Sequence, residues 1–281
     1  MLPRLVVREE LPAAGALSSL HYNIGMVAGP ATGGLLIASA GVGGAYLVDV
    51  AIFAISLLAL ALMGAVPPPE GAERASLRRV LDGLRYARGR PELLGTYGVD
   101  MVAMFFGMTT ALFPALAPRY GGLAVLSLLY AAPAVEVLLA SVTSGWTGQV
   151  HRPGLGVLWA AAGWGLAITL FGLLQSLPAA LGCLALAGGA DEISGLFRMT
   201  IRNQTIPDSL RGRLASIELL SYSSGPTLGN VESGLVAARF GVQVSVLSGG
   251  LLCLAGVAVL AALLPAFRAY DRRSRPAELG G

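Results

Sequence analysis

A chain of 281 residues that is 55% hydrophobic and only 12% charged, with a mean hydropathy of +0.71, is too apolar for one or two ordinary soluble domains. The composition is that of an all-α bundle crossing a membrane many times. The net charge of +3 resides in loop arginines that face headgroups and cytoplasm, so the lipid bilayer is the expected partner and nucleic acid is not.

Met1 to Ala13 carries Arg4, Arg8, Glu9 and Glu10 and no apolar core of its own, so no signal peptide is expected there. Apolar runs of spanning length then follow at about 14–38, 44–66, 93–117, 122–146, 154–176, 178–202, 210–238 and 242–266, which predicts eight transmembrane helices. Short links at Gly41-Val42-Gly43-Gly44, Tyr120-Gly121-Gly122 and Gln175-Ser176-Leu177-Pro178 read as tight turns between antiparallel helices. With the amino terminus inside, only Arg119 and Arg239 of the 19 basic residues fall on the outer side. Both termini are therefore expected in the cytoplasm, with the chain multi-pass in the inner (plasma) membrane.

The first run holds Gly25-Met-Val-Ala-Gly29-Pro30-Ala-Thr-Gly33-Gly34. Gly25, Gly29 and Gly33 recur every four residues and leave one helix face without side chains, so another backbone can approach it. Pro30 removes a backbone donor and is expected to bend the helix. Gly25, Gly29, Pro30, Gly33 and Gly34 are thus the expected helix-packing motif. A weaker copy, Gly225-Pro226-x-x-Gly229 followed by Gly234, lies in the seventh run, and pairs the first span with the seventh.

Between the second and third runs, Pro67-Pro68-Pro69 ends a helix and opens a polar linker to Ser76. Leu77, Val80, Leu81 and Leu84 then fall on one face with Arg78, Arg79, Asp82 and Arg85 opposite, predicting a short amphipathic helix in the headgroup plane.

The ten-residue pattern Gly-x-x-x-Gly-Pro-x-x-Gly-Gly resembles the antiporter motif in the fifth helix of major facilitator superfamily exporters. The flanks Arg8-Glu9-Glu10-Leu11-Pro12 and Ala16-Leu17-Ser18-Ser19-Leu20 are similar to the enterobactin-exporter and macrolide-efflux branch, with Leu81 to Tyr86, Phe113 to Leu116 and Pro207 to Arg213 as supporting landmarks. The resemblance implies that the chain holds helices five to twelve and lacks helices one to four, a missing N-terminal segment. It divides the chain into residues 1–66 (the last two helices of the N-terminal half), 67–92 (a cytoplasmic linker with the amphipathic helix) and 93–281 (the C-terminal six-helix half with a cytoplasmic tail). It also implies rocking of two halves around a central cavity, with protons exchanged for a small amphiphilic substrate such as a hydrophobic drug or a siderophore. The segment Gly145 to Gly154, which the resemblance makes the second-half counterpart of the family's charged loop signature, keeps a glycine and an arginine but lacks the acidic residue, so a charge-relay gate is not expected there.

Seven acids fall within the predicted spans: Asp49, Asp100, Glu136, Asp191, Glu192, Glu218 and Glu232. A carboxylate in hydrocarbon is costly, so each should meet a cavity, a partner or a proton. Asp191, deep in its run beside Glu192, is the first proton-coupling candidate, with Asp100 and Glu136 next. The competing reading pairs Asp191 with Arg198 or Arg202 as a structural acid. Glu218 either anchors packing between halves or joins His21 and Asn23 as a substrate-cavity candidate. The His21-Tyr22-Asn23 step serves hydrogen bonding within the bundle or contact with substrate. Two distant histidines cannot build a zinc site, Cys183 and Cys253 lie in separate apolar runs, and no phosphate loop or nucleophile-base pair is present. Neither an enzyme nor a cofactor is expected. The alternative to a transporter is a non-transporting membrane remnant or interaction subunit.

Overall fold

The computed structural model describes residues 11–62, 85–122 and 125–271. Every regular element among them is a helix. Helix α1 (Leu11–Leu62) is broken at Gly41, whose φ of 70° and ψ of 175° lie in a region that a side chain would make strained. The break falls at the first residue of the expected Gly41–Gly44 turn. His21, Asn23 and Pro30 belong to the α1 backbone, while their side chains, the 67–76 linker and most of the amphipathic segment lie outside the described residues.

Helix α2 (Pro91–Phe106) opens on a proline at its first turn, where no donor is lost. The expected span over 93–117 lies within one apolar stretch, Pro91–Tyr120, but its helix is not continuous. After Gly107 the chain continues as three short turns, Thr110–Leu112, Phe113–Leu116 and Ala117–Tyr120, because Pro114 and Pro118 cannot donate to a continuing α-helical ladder. Helices α3 (Leu126–Thr143), α4 (Pro153–Leu173), α5 (Leu177–Thr205), α6 (Asp208–Phe240) and α7 (Val242–Leu263) follow, then a short turn, Pro265–Arg268.

Five stretches of the described chain are long and apolar enough to cross a membrane: Ser39–Leu62, Pro91–Tyr120, Pro153–Leu173, Leu177–Thr205 and Val242–Leu263. The sequence reading counted eight runs. Among the others, α6 falls short in apolarity because it carries Arg211, Arg213, Glu218, Glu232 and Arg239 along its length.

Helix α5 packs on α3 along one side and on α4 along another, while α7 lies on α4 and α2 lies on α6 and α7. Glycines set how closely these axes approach. A Cβ at Gly188 of α5 would strike the Pro133 carbonyl of α3, and one at Gly229 of α6 would strike the carbonyls of Met104 and Phe105 at the end of α2. Asn230 secures the same junction: its Oδ1 accepts from the Thr110 hydroxyl and the Ala111 N–H, each at 3.0 Å. Leu129, Phe113, Phe171 and Leu184 form one buried apolar cluster, and Val99, Val157, Phe197 and Phe267 form a second.

Helix α1 reaches the bundle through α3. Its contact is Gly34, where a Cβ would collide with the Ser127 side chain. Gly34 belongs to the expected packing motif, and at about 100° per residue it faces a different direction from Gly33. Nothing described lies within 4 Å of a Cβ at Gly25, Gly29 or Gly33.

Candidate functional site: a buried ion network between α2, α5 and α6

Arg198 of α5 is the hub. Its side chain is 3% exposed, and a guanidinium at that depth requires counter-charge. Asp100 of α2, 6% exposed, supplies it directly through Oδ1 to Nη1. The other Asp100 oxygen, Oδ2, accepts from the Ser221 hydroxyl of α6 at 3.1 Å. Arg198 Nη2 turns to Asp191 Oδ1 at 3.3 Å. One helical turn further along α5, Arg202 Nη2 meets Glu218 Oε1 of α6 at 2.6 Å.

Helical spacing explains why these groups meet. Asp191, Arg198 and Arg202 sit at i, i+7 and i+11, one stripe of α5. Glu218 and Ser221 sit three apart on the facing side of α6. Asp100 closes the triangle from α2, where Val99 and Ala103 beside it are buried in the core.

The three acids differ in exposure, with Glu218 at 30% between the other two. Asp191 is 40% exposed, whereas Asp100 is almost sealed. Asp100, Asp191 and Glu218 bring three acids against two arginines, Arg198 and Arg202, so the network lacks one positive charge when all are ionised. One proton balances it. Arg198 Nε and the Tyr97 hydroxyl, both buried, have no hydrogen-bond partner among the described atoms, so the guanidinium has a donor to spare if the pairing changes.

The expected site residues thus divide. Asp191, Asp100 and Glu218 are brought together, with Asp191 on Arg198 as one of the two sequence readings held. Glu136 is not among them: it lines a hollow with residues of α4 and α5. Asp49 is exposed on α1, and Glu192 and Glu232 are partly buried. Sequence reasoning took Arg198 and Arg202 as markers of the inner side and as alternative partners of Asp191, without bringing Asp100 or Glu218 to them, and it passed over Ser221. The i, i+7, i+11 spacing was the available signal for the arginines. Nothing in the sequence pointed to Ser221. Among the described residues no three His, Cys, Asp or Glu side chains are grouped to hold a metal ion.

An all-helical, multi-pass bundle with a charged network sealed between its helices is a polytopic integral membrane protein. The chain belongs to the transmembrane secretion effector family of the major facilitator superfamily, whose sequence profile matches residues 1–278. It is 34% identical over 267 residues to the Enterobactin exporter EntS of Escherichia coli O1:K1 / APEC, and equally to that of Shigella boydii serotype 18. These alignments cover 93% of this chain and 64% of the relatives, so the chain spans less than two thirds of the length of the proteins it matches.

Proposed function

We propose that this chain acts in proton-coupled export of a small amphiphilic molecule, a siderophore or hydrophobic drug, across the inner membrane. The observation that carries the reading is the sharing of one buried guanidinium by two unequal acids. Asp100 holds Arg198 from a sealed position, and Asp191 competes for it from a more exposed one. A proton arriving from water reaches Asp191 first, neutralises it and leaves Arg198 to Asp100 alone. Its departure restores the second ion pair. Coupling to transport requires that the two states differ in how α5 sits against α2 and α6, which is where these contacts lie. The substrate class rests on the relatives, which are named as exporters of enterobactin.

The test is substrate efflux from vesicles carrying the chain, alone and preceded by the four helices that the family resemblance implies. Asp191→Asn keeps the shape but cannot change charge. It is expected to retain exchange down a gradient and to lose uphill export driven by a pH difference. Continued pH-driven accumulation in the variant would place the proton elsewhere. Loss of exchange as well would make Asp191 structural, and no export from either form would favour the interaction-subunit reading.

A further inference from the structure

Each of the three helices that build the ion network carries an apolar residue one turn nearer the same end of the bundle. Leu93 of α2 lies four residues before Tyr97 and seven before Asp100, Ile206 lies four residues beyond Arg202 of α5, and Leu214 lies four residues before Glu218 of α6. At about 100° per residue, these spacings keep each apolar group on the same face as the polar ones. The three meet in one buried cluster, which Ala87 completes from the helical turn at 85–88 that precedes α2. Leu93 is wholly buried, and Ala87, Leu214 and Ile206 are nearly so. The cluster is an apolar floor between the Arg202–Glu218 pair and the end of the bundle where α2 begins, α5 stops and α6 begins.

One part of this floor is held differently from the rest. Leu93 and Leu214 belong to long helices, and the Ile206 N–H still bonds to the Arg202 carbonyl of α5 at 2.9 Å. The end of α5 is tied further by the Tyr270 hydroxyl, which donates to Gln204 Oε1 at 3.3 Å. Phe267, three residues before Tyr270, is fully buried where Gly95 of α2 and Gly154 of α4 leave it room. The turn at 85–88 has weaker holds. The Tyr86 hydroxyl donates to the Thr205 carbonyl at 3.1 Å, Arg90 lies 4.6 Å over the Tyr86 ring, and Ala87 buries a single methyl group. Segments with few buried contacts are the ones that open locally.

We propose that this turn is the movable piece of a closure beneath the ion network. Seated, it keeps water at this end of the bundle from Asp100, Arg198 and Ser221; released, it admits water to them. The closure does not rest on the export reading, because it is measured as water access with no substrate present.

The experiment uses the full chain in lipid nanodiscs, with Ser221→Cys as the reporter and a permanently charged methanethiosulfonate as the probe. Modification is read at position 221 by mass spectrometry, so Cys183 and Cys253 do not enter. The reporter protein is expected to react slowly. Adding Tyr86→Phe, which removes only a hydroxyl, is expected to raise the rate about fivefold, the scale of one neutral hydrogen bond. Adding Leu93→Ala is expected to raise it at least about tenfold by loosening the floor. Leu129→Ala, the same truncation in the buried apolar cluster away from the network, is expected to leave the rate as it was. A reporter that reacts as fast as an exposed thiol overturns the proposal, as does a Tyr86→Phe rate no higher than the reporter's own. Equal acceleration by Leu129→Ala and Leu93→Ala would mean general loosening and overturn it too. Should Leu93→Ala not fold, Tyr86→Phe, which keeps the ring packing, decides alone.

Discussion

At Arg198, one side chain settles which of several acids matter. A guanidinium that is 3% exposed cannot remain charged without partners, and Asp100 supplies the most enclosed of them. Removing one member of a buried pair strands the other and costs about 3–5 kcal/mol, whereas an exposed pair contributes about 0–1 kcal/mol. Asp100→Asn should therefore lower the thermal unfolding temperature of the purified protein clearly, and Asp191→Asn, at 40% exposure, should lower it little. Equal losses would show that the two acids share the guanidinium evenly. Ser221→Ala removes only the neutral hydrogen bond to Asp100 and should cost about 1 kcal/mol, measured in the same unfolding series.

Between elements, the packing is governed by positions where a helix has no side chain. The two copies of the glycine-proline pattern make the contrast. In α6, Gly225 lies against Met104, and Gly229 lies on the carbonyls that end α2. Backbone cannot yield as a flexible side chain can, so Gly229→Ala should destabilise by about 1–3 kcal/mol. In α1, Gly33→Ala meets nothing described and should be neutral in the same unfolding measurement, while Gly34→Leu should loosen α1 from α3 at Ser127. A Gly33→Ala variant as damaged as Gly229→Ala would mean that the α1 stripe is packed after all. The repeat could be read from the sequence, yet what each copy packs against is set by the helix opposite it. That is a property of two helices and not of one.

For the whole molecule, the question is orientation. Single cysteines placed in the 67–76 linker and after Arg275 should react with an impermeant thiol reagent only from the cytoplasmic side, as the asymmetry of the arginines requires. Labelling of either from outside would reverse the topology. The buried native thiols, Cys183 and Cys253, should stay silent in that experiment. Helix class, run positions and the Gly41 break were legible because they depend on local quantities: the length of an apolar run, and the one residue type that tolerates a φ of 70°. The proline-rich stretch after Gly107 was legible too, but length and hydropathy alone hid the break it makes. The seven intramembrane acids could likewise be counted from the sequence, since each is costly wherever it points. Their separation into a network at Arg198 and a lone carboxyl at Glu136 could not, because the opposite faces of α5 acquire their meaning only from α2 and α6 on one side and from α3 and α4 on the other. Hydropathy is a property of each residue and survives in the linear chain, whereas charge pairing and cavities belong to distances between helices, which only the packed bundle defines.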